Sequence, residues 1–116
     1  MLSLKRAYDP PLPQDGPRLL VDRLWPRGVS KDALKIEQWY RDVAPSAELR
    51  VWFGHDPAKW AEFKKRYFAE LEKNAANWQP ILEKARKGKT TLIYSARDTA
   101  HNDAVALKEF LETKLR

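Results

Sequence analysis

Three short segments of the chain hold four arginines and no lysine, and arginine is the side chain best shaped to grip an anion. Arg23 and Arg27 lie in Asp22-Arg23-Leu24-Trp25-Pro26-Arg27-Gly28, Arg50 and His55 lie between Glu48 and Pro57, and Arg97 lies between Tyr94 and Asn102 with His101. A guanidinium offers a planar fork of N–H donors, so it takes a phosphate or carboxylate through two parallel hydrogen bonds with no deprotonation step. The competing arrangement is structural: Asp22, Glu48, Asp56 and Asp98 could pair with these arginines and tie the loops to a sheet. A purely structural role predicts these arginines fully paired with acids.

His55 and His101 are the only histidines, hence the only side chains whose ordinary titration falls near neutral pH. His101 is the candidate general acid or base, in the first turn of a helix that follows a strand. Neither histidine has a recognised zinc spacing, and Asp56 reads better as a helix cap, so no metal is expected. Ser95 lacks the glycine-rich turn of a serine nucleophile. Zero cysteines exclude thiolate catalysis, disulfides and cysteine-held metals. Trp25 and Trp52 each abut an arginine-bearing segment and could wall a pocket or stack on a base, whereas Trp39, Trp60 and Trp78 read as core. Asn102 completes the candidate ligand set of Arg23, Arg27, Arg50, His55, Arg97, Trp25 and Trp52.

These residues need elements to place them. Leu2 and Leu4 alternate with polar neighbours up to Tyr8 as a first strand, closed by a proline-rich loop from Asp9 to Pro17 that cannot be helical. Arg18 to Trp25 is an apolar run of strand length in which Asp22 and Arg23 stand out. Ser30 caps a short helix carrying Leu34, and Trp39, Tyr40 and Val43 form a second helical patch before Pro45. Ser46 opens a helix that Gly54 ends, and Asp56-Pro57 starts a long one with Trp60, Phe63, Tyr67 and Leu71 on one stripe. Asn77 is expected to cap a further helix with Pro80 in its first turn and Gly88 as its stop. Thr90 to Ala96 is a β-branched strand, after which Asp98 or Thr99 caps a last helix.

The order is strand, strand, helices, strand, helix, which predicts an α/β class: one compact domain over 1–116 with a small, mostly parallel sheet flanked by helices in a Rossmann-like three-layer arrangement. The chain between Trp25 and Thr90 is long enough for a right-handed crossover, so the second and third of these strands should be parallel neighbours or nearly so. The nine residues between the first two strands leave their relative direction open. In such a sheet ligands sit beyond the carboxyl ends of the strands, where two of the arginine segments fall.

The chain has 116 residues, 43% hydrophobic and 33% charged, enough for one buried core. With a mean hydropathy of -0.68 it reads as a globular chain, neither disordered nor membrane-spanning. Lys5 and Arg6 interrupt the start before any long apolar run, so no leader or anchor is expected and the expected location is the cytoplasm. The net charge of +6 keeps a polyanion partner in view. Nine Lys/Arg face eight Asp/Glu from Met1 to Ala58 and thirteen face eight from Lys59 onward, so the excess lies on the helical second half, where a solvated face accounts for it.

The run Val21-Asp22-Arg23-Leu24-Trp25-Pro26-Arg27-Gly28, then Ala44-Pro45-Ser46 with Leu49-Arg50 and Trp52-Phe53-Gly54-His55-Asp56-Pro57, then Ala96-Arg97-Asp98 with His101-Asn102, resembles the YeaO-like proteins, a small bacterial family of domain-of-unknown-function type 488. The resemblance spans almost the whole chain. It implies a compact α/β domain with no assigned activity and carries no catalytic residue across. The physical reading therefore stands alone on function: binding or catalysis on a small anion at the carboxyl edge of the sheet, without a cofactor. Nucleic-acid binding by the basic second half and a homodimeric interaction module are the alternatives, the latter against a monomer.

Overall fold

The computed structural model describes all 116 residues. Its one sheet has four strands, β1 (Leu2–Arg6), β2 (Arg18–Leu20), β3 (Gln38–Trp39) and β4 (Thr90–Tyr94), in the order β1-β4-β2-β3. Every pairing is parallel. β1 and β2 flank β4, so they run the same way without touching. The expected neighbours on either side of the long crossover, β2 and β4, are indeed paired, with Leu19 opposite Leu92.

Side-chain alternation sorts the strands onto two faces. Leu19 and Leu92 join a cluster of 20 buried residues beneath α2 (Ala47–Phe53), α3 (Trp60–Glu72), α4 (Ala75–Lys87) and α5 (Asp103–Leu115). Leu20 and Ile93 point the other way, into a smaller cluster with Leu34 of α1 (Lys31–Leu34). The three layers are uneven, four helices on one side and one short helix with loops on the other. All four strand residues are fully buried, each contributing about 1.5–3 kcal/mol relative to an exposed position.

The local signals explain most boundaries. Ser30 Oγ accepts from the Ala33 N–H and Ser46 Oγ from the Leu49 N–H, while Gly54 closes α2 in the left-handed region at φ 54°. Asp56 Oδ1 accepts from the Ala58 N–H to start a 3-10 turn, Pro57–Lys59, that leads into α3. Gly16 sits at φ 64°, and a side chain there would collide with the Lys89 carbonyl oxygen.

Several expectations need correction. The Asp9–Pro17 loop contains a 3-10 turn at Pro13–Asp15. The apolar run from Arg18 pairs as strand only to Leu20; the Val21 N–H still reaches Ile93 O, and then Asp22 turns out of the sheet to meet Ser95. The patch at Trp39 is an edge strand followed by a 3-10 turn, because Tyr40 N–H bonds to Leu20 O at 2.8 Å. α4 begins at Ala75, two residues before the expected cap, so Pro80 lies inside the helix on an exposed face. α5 is capped by Asn102; Asp98 instead closes a turn by accepting from the Ala100 and His101 N–H groups. His101 therefore precedes the helix and is not in its first turn.

Candidate functional site

Because β2 and β4 are parallel neighbours, their carboxyl ends open side by side and the next residues meet. The Ser95 N–H and Oγ–H both donate to Asp22 Oδ2, each at 2.9 Å. From β1, Arg6 donates Nε to Ala96 O and Nη2 to Ser95 O, fixing the loop after β4 from behind. Asn102 Oδ1 caps the Val105 N–H at 2.9 Å, which starts α5 with Asp103 as its first residue. The Asp22 and Asp103 carboxyl groups both line the cleft, close enough that each shifts the other's titration.

The opposite wall comes from α2. The Ser46 N–H and Oγ–H both donate to the Glu70 carboxylate, at 2.9 and 2.6 Å, so α2 is anchored on α3. That anchoring brings Arg50 and Phe53 to the same opening. Gly54 and His55 are both left-handed, at φ 54° and 56°, and this tight reversal lays His55 on the rim. The result is a cleft of about 620 Å³ lined by Asp22, Arg23, Leu24, Pro45, Arg50, Phe53, His55, Phe63, Ser95, Ala96, Arg97, Asp98, Asn102 and Asp103.

Charge in the cleft is arranged unusually. Nine ion pairs hold the protein together, and none includes Arg23, Arg27, Arg50 or Arg97. Arg23 Nη2 makes one long hydrogen bond, 3.4 Å to Pro45 O. Arg23 Nε and Arg50 Nε are buried with no partner, a state that calls for an explanation in a folded protein. The acids behave in the opposite way. Burial pushes the Asp103 carboxyl well above its ordinary 3.8, and the charge and hydrogen bond of Asp22 add to the rise. Burial also lifts Asp22, although Ser95, Asp103 and the Arg50 charge pull it back in part. Two such carboxyls this close resist ionising together, and they titrate as a pair. Burial likewise raises the nearby Tyr67 hydroxyl well above 10.0, helped by Asp103, Glu70 and Asp22, so it stays neutral and donates to Val43 O at 2.6 Å.

The sequence candidates divide between cleft and elsewhere. Arg23, Arg50, His55, Arg97 and Asn102 line the opening, with Asn102 also spending its side chain on the Val105 cap and on Asp98 O. Arg27 is exposed outside the cleft, its carbonyl accepting from Tyr8 Oη. Trp25 lies on the α1 side, edge-on to Trp39 at 5.5 Å and bonded to Val29 O. Trp52 is covered by Arg66 at 4.1 Å and Lys59 at 5.1 Å. His101 sits beside the cleft, Nδ1 3.0 Å from Asp98 Oδ2 and its ring edge-on to Trp60. Sequence reasoning passed over the Asp22–Ser95–Asp103 constellation; its one visible signal was a charged residue inside an apolar run. No group of three metal-ligating side chains is present, and no helix is long and apolar enough to cross a membrane.

Comparison with known proteins is consistent in its direction. The family described as the inactive DUF488-N3 subclade matches residues 1–116. The chain is 39% identical over 112 residues to the uncharacterized protein YeaO of Escherichia coli, covering 97% of each. It is also 39% identical over 110 residues to uncharacterized proteins of Mycobacterium bovis and Mycobacterium tuberculosis, covering 95% of this chain and 92% of each of those. No solved structure matches. With the whole chain matched by the family and nearly the whole length shared with YeaO, the chain belongs to the YeaO-like DUF488 family.

Proposed function

We propose that the cleft at the carboxyl ends of β2 and β4 binds a small anion, a phosphate or carboxylate, through Arg23, Arg50 and Arg97. The observation that carries this reading is the absence of any acidic partner for these arginines, together with the unpartnered buried Nε atoms of Arg23 and Arg50. A buried N–H without an acceptor is costly, and an incoming anion removes that cost while matching the charge. Binding without turnover suits a family whose description includes the word inactive. The basic second half supports nucleic-acid binding less, since Lys64, Arg66, Lys84, Arg86, Lys108 and Lys114 are each held by a glutamate.

Titration with inorganic phosphate and with acetate, followed by calorimetry and by the His55 ring resonances, tests the reading. Saturable binding with a dissociation constant of about 1 mM or tighter is expected for at least one of them. Arg50→Ala should weaken it by about 1.5–3 kcal/mol, the usual worth of a charge-assisted hydrogen bond. Absence of saturation with both anions overturns the reading.

A further inference from the structure

The cleft is larger and chemically more divided than a bare anion needs. Its volume of about 620 Å³ falls within the range of small-molecule sites, roughly 300–1,000 Å³. One part of the lining is cationic, with Arg23, Arg50 and Arg97. Another is a pair of carboxyl groups, Asp22 and Asp103, which would repel an anion placed against them. Asp22 Oδ2 is satisfied by Ser95, and Asp103 Oδ1 accepts from the Ala104 N–H at 3.1 Å. No backbone or hydroxyl donor engages Asp22 Oδ1 or Asp103 Oδ2, so the pair keeps acceptor capacity toward the cleft, in a wall that also contains the apolar surfaces of Phe53 and Pro45.

Resting on the anion reading above, we propose that the ligand is a phosphorylated polyol, its phosphate held by Arg23, Arg50 and Arg97 and its neighbouring hydroxyls donated to the Asp22–Asp103 pair. Phosphate is favoured over carboxylate because three guanidinium groups without carboxylate partners offer more N–H donors than two oxygens can accept. Phosphate brings three oxygens and close to two negative charges at neutral pH. The hydroxyls are the ligand groups that two carboxyls recognise, since an ionised or half-protonated pair accepts hydrogen bonds strongly and rejects a second anion. Carbon–hydrogen faces of a sugar ring would lie against the apolar wall. A site that grips one end by charge and reads the other by acceptors discriminates against inorganic phosphate, which fills only the first half.

Calorimetry with inorganic phosphate, glycerol phosphate, ribose phosphate, adenosine monophosphate and uncharged ribose separates the possibilities. Ribose phosphate should bind at least about tenfold tighter than inorganic phosphate, equivalent to ~1.4 kcal/mol, and ribose alone should bind far more weakly than either. Glycerol phosphate should fall between them. A nucleotide that binds tighter than ribose phosphate places the source in nucleotides and keeps the proposal; one that binds more weakly places it in free sugar phosphates. Asp103→Ala should remove most of the tenfold preference while leaving inorganic phosphate bound as well or better. If Asp103→Ala does not fold, Asp103→Asn keeps the side chain's size, replaces an acceptor with a donor, and should shrink the preference. Equal affinity for all phosphates overturns this proposal and leaves the anion reading intact. No binding by any phosphate overturns this proposal, and the anion reading falls with it when acetate also fails to saturate.

Discussion

Two places in the molecule gather arginine and aspartate, one fully buried and one half-buried, and they could hardly be used more differently. On the α1 side of the sheet, Asp15 and Arg18 are each 5% exposed and fully engaged. Arg18 Nη1 donates to Asp15 Oδ2 at 2.7 Å, its Nε and Nη2 both donate to Leu34 O, and Asp15 also receives Lys5 Nζ and the Leu12 N–H. Burial alone would raise the Asp15 carboxyl, but the Leu12 N–H, Lys5 and Arg18 outweigh it and hold it below 3.8. At the cleft, the arginines make no ion pair and the Asp22 and Asp103 carboxyls are pushed up. The first corner is a closed network that pins the proline-rich loop to β2. The second leaves its donors and acceptors open to a ligand. Residue types do not separate the two; satisfaction of hydrogen bonds does.

The sharpest way to break that contrast is to truncate one residue from each place. Asp15→Ala leaves Arg18 buried beside an empty space and should cost about 3–5 kcal/mol, the cost of orphaning a buried ion pair, read as a lower urea midpoint. Arg50→Ala removes no acidic partner and should cost less than about 1 kcal/mol, mostly lost packing of the side-chain stem. A loss at Arg50 as large as that at Asp15 would mean the cleft arginines are structural.

Acidity should move the two places in opposite directions. Asp15 has a lowered folded pKa, so its contribution is present above about pH 4 and disappears as pH falls through the folded value. Asp103 has a raised folded pKa, so its protonated form favours the folded state at low pH and that contribution is lost as pH rises through the folded value. Each unit of that rise is worth about 1.4 kcal/mol. Asp103→Asn should therefore flatten the decline in stability above about pH 4 and leave the acid limb, set by Asp15, in place. Urea midpoints across the pH range check this, and an unchanged upper limb in the variant would show that the Asp103 carboxyl is not raised by folding.

Much of the frame was legible because its signals are local. Ser30, Ser46, Gly54, Asp56-Pro57 and Gly88 mark real boundaries, since each acts on backbone groups within a few residues. β3 was not legible: two residues carry no periodicity, and their strand character comes from the Leu20 carbonyl in a neighbouring strand. The final helix was misplaced because Asp98 and Asn102 are both good caps and only the fold assigns Asp98 to the turn and Asn102 to α5. At the site, the arginine segments announced themselves by composition. The Asp22–Asp103 contact did not, because it joins residues from opposite ends of the chain that meet only when β2 pairs with β4. Trp25 and Trp52 looked equally available in sequence, yet each is already occupied by neighbours.

The smallest effect concerns His101, which separates the cleft from its surroundings. Asp98 lines the opening, and its carboxyl is held below 3.8 first by the Ala100 N–H and then by the His101 ring. The backbone bonds to Ala100 and His101, at 2.9 and 3.0 Å, close the turn that presents Arg97, while the ring contact is partly exposed and adds little to folding. His101→Ala should therefore leave the urea midpoint nearly unchanged, and Asp98→Ala should lower it and speed amide exchange from Ala100 to Asp103. Anion affinity should follow the same order, because a loosened turn no longer fixes Arg97, whereas loss of the ring removes only a partner that faces Trp60. If instead His101→Ala abolishes anion binding while the midpoint holds, the histidine belongs to the binding site and the boundary drawn between cleft and surroundings must move outward to include it.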